Sequence, residues 1–286
     1  MAFLDHVRRC TRHDPKAFRP WLIDGGVAGY VRLAVAEILA ERRDLFALGG
    51  KARLSLAAKG FEARSAALAE AALMLRQAGF VRRITGEMYR VETGGEALAK
   101  VDRGAICALG VRARGVHLSG IVEKQGGVHL WVGRRSPTKE TFPGELDNIV
   151  AGGQPFGLSL RANLIKECEE EASIPAALAR LARPVGAITY ATDTEPGMVD
   201  QGLRRDVLYC YDLALPEDFT PKPNDGETAE YRLLPIAEVA AIVERGPAFK
   251  FNCALVVIDL LIRRGIIPPE HPDYLALVRG LRSDTL

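Results

Sequence analysis

The 286 residues carry few cysteines, no marked excess of either charge and no long apolar run. The five cysteines, Cys10, Cys107, Cys168, Cys210 and Cys253, are odd in number and never spaced C-x-x-C. That argues against a disulfide framework or a zinc site and fits reduced thiols. With 38 basic and 36 acidic residues the net charge is +2, and a nucleic-acid partner is not expected, because phosphate-tracking surfaces need a local excess of Lys and Arg. The pairs Arg42-Arg43 and Arg204-Arg205 are too short to change this and read as solvated surface. No apolar stretch reaches the ~20 residues of a membrane helix. The longest, Cys253 to Ile262, already contains Asp259. The start, Met1 to His6, lacks the basic-then-apolar order of a signal peptide. No membrane partner and a cytoplasmic location are therefore expected.

What is present is an ordinary globular composition, 48% apolar and 26% charged, long enough for two domains and a substantial core. In the first hundred or so residues, apolar residues recur at helical spacing over Leu33–Arg42 and Phe61–Ala78, with Gly79 where the second helix stops. Between them, Phe46 to Leu56 reads as two short strands around a Gly-Gly turn. A break falls at Thr93-Gly94-Gly95-Glu96, and Val101–Val111 can belong to either side of it. The domain boundary is placed near residue 112, giving a small α/β domain over 1–112 and a second domain over 113–286.

The second half reads as a hairpin, Val116–Val122 and Val128–Arg134 around Gln125-Gly126-Gly127. A loop, Ser136–Gly144, leads to a strand at Asp147–Ala151, then Gly152-Gly153 and a helix over Leu158–Ala172 that Ile174-Pro175 ends. Further strands are expected at Val185–Ala191, Val207–Leu213 and Glu230–Leu234, and helices at Ile236–Arg245 and Phe251–Arg264. Strands and helices without a strict βαβ rhythm imply an α+β fold with a mixed sheet flanked by helices.

The informative stretch is Lys166-Glu167-Cys168-Glu169-Glu170-Glu171. Residues three and four apart share a helix face, so Glu167, Glu170 and Glu171 point one way while Leu164, Ile165 and Cys168 can face the core. Converging carboxylates repel one another, and a hard divalent cation with oxygen ligands is one remedy. Acidic helix faces are usually only solvated, so the context decides. Fourteen residues before Lys166 stands Gly152, in a Gly-Gly turn after a strand, where the backbone can approach a ligand closely.

Strand, glycine loop and acidic helix together resemble the Nudix box, in which Gly, five residues, Glu and seven residues precede Arg-Glu-U-x-Glu-Glu-x-Gly-U, U being a bulky aliphatic residue. Gly152 matches the leading glycine, Glu167 the glutamate after the basic position, Glu170 and Glu171 the paired glutamates, and Ile174 the final aliphatic. Leu158 stands for the first glutamate, Lys166 for the arginine, Cys168 for the inner aliphatic and Ser173 for the second glycine. The family's early glutamate and arginine brace the loop as an ion pair, so losing one and softening the other are compatible changes. Further strings extend the resemblance over nearly the whole chain: Ser136-Pro137-Thr138-Lys139, Pro143 to Gly153, Ile165 to Pro175, Phe61-Glu62-Ala63-Arg64 and Trp21 to Gly25. They are similar to the Nudix branch associated with thiamine pyrophosphokinase. The resemblance implies an α/β/α sandwich behind a small α/β domain. It also implies Mg²⁺- or Mn²⁺-dependent hydrolysis of a diphosphate bond in a small substrate, a nucleoside-diphosphate-X compound or an oxidised thiamine diphosphate.

On that reading Glu167, Glu170 and Glu171 hold the metal, with the Gly152 carbonyl as an extra ligand. Glu227, in the loop Asn224-Asp225-Gly226-Glu227, is a further ligand or the general base; an ordinary solvated turn is an equal alternative, and Glu170 or Glu171 can equally be the base. Arg134, Arg135 and Lys139 are candidate phosphate contacts, surface roles being the alternative. Trp131, Phe142 and Tyr190 are possible stacking platforms but fit core packing better, and His117 and His129 read as strand residues. Asp24-Gly25-Gly26 reads as a turn, and the first domain is expected to support or cap the substrate. Alternatives within the family are an ADP-ribose or dinucleotide pyrophosphatase and an isopentenyl-diphosphate isomerase. The isomerase would need a cysteine facing a glutamate across a closed pocket. A degenerate domain that only binds a ligand or partner is the alternative outside catalysis, and the retained glutamates count against it.

Overall fold

A computed structural model of the chain describes residues 2–49, 53–194 and 201–283. The first half contains helix α1 (Phe3–Cys10), strands β1 (Phe18–Ile23) and β2 (Gly26–Arg32), helix α2 (Leu33–Glu41), strands β3 (Phe46–Gly49) and β4 (Arg53–Leu56), and helix α3 (Phe61–Gln77). Strands β5 (Met88–Thr93) and β6 (Glu96–Asp102) and the short helix α4 (Ile106–Leu109) follow. The expected pair at Phe46–Leu56 is β3 and β4, whose connection at Gly50-Lys51-Ala52 lies outside the described residues. Four of these strands form a mixed sheet in the order β2-β1-β4-β3, with β1 and β4 parallel. The break at Thr93–Glu96 is the hairpin turn of β5 and β6, and Val101–Val111 divides between β6, α4 and the link to the second half.

The second half contains strands β7 (Arg112–Lys124), β8 (Gly127–Arg135), β9 (Leu146–Asn148) and β10 (Val150–Gly153), then helices α5 (Leu160–Ala172) and α6 (Ala176–Ala179). Strands β11 (Arg183–Asp193), β12 (Leu203–Ala214) and β13 (Thr228–Pro235), helices α7 (Ile236–Arg245), α8 (Phe251–Arg263) and α9 (Tyr274–Gly280), and strand β14 (Arg282–Ser283) complete it. The strand expected at Asp147–Ala151 is split: β9 pairs with β8 and β10 with β7. The large sheet runs β13-β8-β7-β12-β11-β14, with β7 and β12 parallel, so it is mixed.

This sheet has helices on both faces, the sandwich expected for the second half. Because side chains alternate along a strand, Val116 and Leu118 of β7 pack with Leu164 and Cys168 of α5, while Ile121 joins Leu208 and Cys210 under α8. A central strand covered on both faces favours apolar residues, and β7 is buried from Gly115 to Val122, with His117 and Ser119 the polar residues in that stretch. Helix α8 is buried along Phe251–Leu261 because α1, α7 and the sheet enclose it. Its one acid, Asp259, is paired with Arg263 at 2.8 Å and Arg282 at 2.7 Å. Among the described residues no helix is long and apolar enough to cross a membrane.

The cores do not divide at residue 112 alone. One, built from residues between Trp21 and Val111, belongs to the first half. Helix α1, however, buries Phe3, Val7 and Cys10 in the core around α8. The halves also meet through Glu92 and Arg114, through the Phe61 and Phe156 rings at 5.3 Å, and through a backbone bond from Phe156 N to Met88 O at 2.7 Å.

Candidate active site

Helix α5 begins at Ser159, whose side chain accepts from Ala162 N at 3.1 Å and satisfies one of the free N–H groups of the first turn. It ends at Ser173, in the left-handed conformation with φ 53°, where the family pattern has glycine. Leu164 and Cys168 anchor its apolar face, and Ile165 packs beside them. The three glutamates diverge more than the spacing alone implies. Glu171 turns under the sheet edge, where its Oε2 accepts from Ala151 N at 2.9 Å. Glu167 lies against Gly152, and a Cβ there would fall 2.3 Å from Glu167 Cδ, so only glycine leaves room for that carboxylate. Glu170 is exposed and pairs with Lys166 one turn earlier.

The loop before α5 is braced without the family's ion pair. Gln154 donates from Nε2 to Leu158 O at 2.8 Å, and Asn163 Nδ2 donates to Gly153 O at 2.8 Å. Leu158 itself is exposed, so nothing at that position is asked to carry charge.

The loop holding Asp225 and Glu227 is stapled to the end of α5. Lys222 N donates to Ala172 O at 3.1 Å, Ser173 Oγ to Lys222 O at 3.1 Å, and Tyr231 Oη to Glu171 O at 3.0 Å. One carboxylate oxygen from each of Glu171, Asp225 and Glu227 then lies within 4.8 Å of the others. Burial pushes Glu171 up to about 8, against the Ala151 N–H and with Asp147, Glu167 and Asp225 adding to the rise. Burial also raises Glu167. This set fits a divalent cation on its own chemistry: hard oxygen donors, close together, with Lys139 on Glu227 as the cation paired with the group.

Beside this cluster opens a cleft of about 300 Å³ between the two halves. Ala151, Gly152 and Gly153 form one edge, and Lys139 and Glu227, which are ion-paired, another. The first half contributes Arg82, Arg83, Thr85, Tyr89 and Arg103. Gly153 makes this join possible, since a Cβ there would sit 1.7 Å from the Tyr89 hydroxyl. Glu140 pairs with Arg82 at 2.8 Å and Arg83 at 3.4 Å, tying the 136–144 loop to the first half.

Of the candidate phosphate contacts, Lys139 borders the cleft and the two arginines do not. Arg134 is exposed and pairs with Glu230 at 3.3 Å. Arg135 is buried, held by Asp147 at 2.8 Å and the Thr141 carbonyl at 2.8 Å. Burial alone would raise Asp147, but Lys250 and Arg135 hold it below the usual carboxylate range. Trp131 and Tyr190 are core residues on opposite faces of the sheet, and Phe142 alone of the three stacking candidates borders the cleft. His129 caps its own hairpin through Gly127 O at 3.0 Å, whereas His117 borders the cleft. Asp24 and Gly25 form the β1–β2 turn, and Asp24 pairs with Lys59 and Arg64, joining two of the strings that carry the resemblance. All five cysteines are buried; Cys107 borders the cleft from the first half. Sequence reasoning did not single out Asp225 as a ligand, nor Tyr89, the Arg82-Arg83 pair, Arg103, Asp206 and Asn252 as cleft residues. For Asp225 the signal was present, two residues from Glu227.

The profile of the NUDIX domain matches residues 111–253, and that of a domain of unknown function, DUF4743, matches residues 2–113. The chain is 40% identical over 296 residues to "Nudix hydrolase 20, chloroplastic" of Arabidopsis thaliana, a match spanning 98% of this chain and 78% of that protein. The chain belongs to the Nudix hydrolase family. "Nudix hydrolase 24, chloroplastic" of the same plant is 40% identical over 289 residues, with the same coverage of 98% and 78%. Among solved structures, DR0079 from Deinococcus radiodurans matches 60% of this chain and 98% of its own at 24% identity, with a TM-score of 0.46. The protein is a Nudix pyrophosphohydrolase, and Nudix hydrolases cleave pyrophosphate bonds in nucleoside diphosphate derivatives, generally with divalent metal ions.

Proposed function

We propose that this Nudix hydrolase cleaves the diphosphate of an oxidised thiamine diphosphate, with Mg²⁺ as its metal. The observation that carries this reading is the cleft of about 300 Å³ beside the Glu171–Asp225–Glu227 cluster. That volume lies at the small end for ligand sites and suits a compact two-ring diphosphate better than a dinucleotide. The sequence strings of the thiamine-associated branch add support, because two of them meet at the Asp24–Arg64 pair that holds the first domain's turn.

Glu171 and Asp225 would hold the cation, with Glu167 and the Gly152 carbonyl as further candidate ligands. When bound, a divalent cation supplies charge neutralisation across the diphosphate. Lys139, with Arg82 and Arg83 opposite, attracts and orients the phosphates. Water attacks one phosphorus, the bridging oxygen leaves with the other phosphate, and Glu227 takes the water's proton. Glu227 is assigned this part because it both borders the cleft and belongs to the carboxylate cluster. The products are a monophosphate ester and inorganic phosphate.

Phosphate release with Mg²⁺ or Mn²⁺ over oxothiamine diphosphate, thiamine diphosphate, ADP-ribose and nucleoside triphosphates tests the reading. Turnover of the oxidised thiamine compound well above the nucleotides is expected. Preference for ADP-ribose would overturn the substrate, and absence of turnover with either metal would overturn hydrolysis.

A further inference from the structure

The floor of the cleft is built on one face of the sheet, away from the acidic helix. Ala113, Gly115 and His117 alternate along β7, opposite Asp206, Leu208 and Cys210 of β12 in the order of their pairing. The β7 residues are small except the last, and this opens the space that His117, Asp206 and Asn252 border.

These are polar side chains buried to an unusual degree: His117 is 4% exposed, Asn252 6% and Asp206 8%. Each keeps one polar atom without a partner among the described residues. His117 Nδ1 lies 2.8 Å from Asn148 Oδ1, so Nδ1 is the donor and Nε2 keeps a lone pair. Tyr190 donates to Asp206 Oδ2, the atom Arg204 also approaches at 3.7 Å, leaving Oδ1 open. Asn252 Oδ1 accepts from Cys253 at 3.5 Å, leaving the two Nδ2 hydrogens open. These open atoms belong to side chains that line the cleft, so two acceptors and a donor, held by largely buried side chains, are presented to whatever occupies it.

The walls are aromatic. The Phe142 and Phe251 rings lie 5.4 Å apart, centre to centre. Phe142 holds φ 53°, the left-handed region that a bulky side chain rarely adopts. Local strain of this kind persists only where the surroundings over-determine it, and here it sets a ring at the mouth of the cavity.

We infer that His117, Asp206 and Asn252, beside the contacting rings of Phe142 and Phe251, form the subsite that recognises the organic part of the substrate, a planar nitrogen heterocycle. The ring edge it fits carries a hydrogen-bond acceptor beside an N–H donor: the acceptor takes Asn252 Nδ2, and the N–H reaches Asp206 Oδ1 or His117 Nε2. Phe142, backed by Phe251, offers an aromatic wall against one side of the ring. Chemistry at the diphosphate and recognition of the ring are thereby divided between the sheet edge and the cleft floor. Specificity follows from the same atoms, since a substrate lacking the paired edge leaves them buried and unsatisfied. The assignment rests on the cleft being the substrate's place, as in the proposed function, but ring binding is measurable without hydrolysis.

Calorimetric titration of the full chain with phosphate-free oxothiamine, thiamine and adenosine, without metal, is the test. At least one of these probes binds the wild type at one site per chain. Asp206→Asn and Asn252→Ala each weaken it about 10-fold or more, and Phe142→Ala, which leaves the polar atoms in place, weakens it too. Thermal melting of each variant distinguishes a lost contact from a lost fold. In steady-state hydrolysis of oxothiamine diphosphate the same substitutions act on KM more than on kcat. Failure of all three probes to bind the wild type, or equal binding by folded variants, overturns the subsite. Ring binding without any hydrolysis overturns the proposed function and leaves the subsite standing.

Discussion

Gly152 lacks a side chain because Glu167 occupies the space a Cβ would take, 2.3 Å from Glu167 Cδ. The obstructing atom belongs to a flexible side chain, so Gly152→Ala moves the carboxylate and not the backbone. A displacement of about 1 Å at a reacting centre costs about 10²-fold in rate. Gly152→Ala is thus expected to lower kcat roughly 10- to 100-fold, with melting temperature nearly unchanged; a fully active variant would remove Glu167 from the site. Asp225→Asn removes one carboxylate of the cluster and should weaken Mn²⁺ binding at least about 10-fold, which electron paramagnetic resonance of the bound ion measures directly. Unchanged binding would remove Asp225 from the ligand set. His117 gives a pH dependence of stability. Burial lowers it from 6.5 to about 4, so between those values the unfolded chain takes a proton that the folded chain does not. Stability is then fully present above pH 6.5 and falls as pH drops towards 4, by on the order of 3 kcal/mol. His6, lowered by burial as well, contributes in the same direction. Urea unfolding of His117→Gln should show a flatter acid limb than the wild type, and an identical limb would mean that His117 does not titrate this way.

At the scale of elements, α5 was largely legible from its own sequence. Helical spacing places Leu164 and Cys168 inwards, and they are buried. Its glutamates were legible only as a set, because their individual directions depend on β10, which takes Glu171 at Ala151 and Glu167 at Gly152. The strand expected over Asp147–Ala151 breaks at Ile149, where the chain passes from a β8 partner to a β7 partner, a choice no local pattern encodes. The distal loop depends on tertiary bonds in the same way. Tyr231 Oη reaches Glu171 O from β13, and losing one such bond costs about 1 kcal/mol. Tyr231→Phe is expected to lower the melting temperature by roughly 2–4 °C and to raise the Mg²⁺ concentration for half-maximal activity. A change in stability without the shift in Mg²⁺ dependence would separate loop docking from metal binding.

At the scale of the molecule, the first half is part of the second half's core and of its cleft. Phe3, Val7 and Cys10 of α1 are buried around α8, and each fully buried apolar side chain of this size stabilises by about 1.5–3 kcal/mol. Residues 113–286 alone are expected to be markedly less stable than the full chain to urea. Joining residues 2–12 to them by a flexible linker should restore much of the stability but not the activity, because Arg82, Arg83 and Tyr89 remain missing from the cleft. Full activity of the linked fragment would limit the first half to a supporting role.

The chain by itself determined the family chemistry. Gly152, Glu167 and Glu171 lie within twenty residues of one another, and over that span helix periodicity and glycine's missing side chain suffice to mark them as one set, though not the direction each carboxylate takes. Only the tertiary structure decided which loop completes the carboxylate cluster, which cations face the diphosphate and which side chains floor the cleft. Arg82, His117, Lys139, Asp206 and Asn252 come from five separate segments. Their meeting is set by sheet order, by the parallel pairing of β7 with β12 and by the docking of two cores, none of which leaves a short-range trace in sequence.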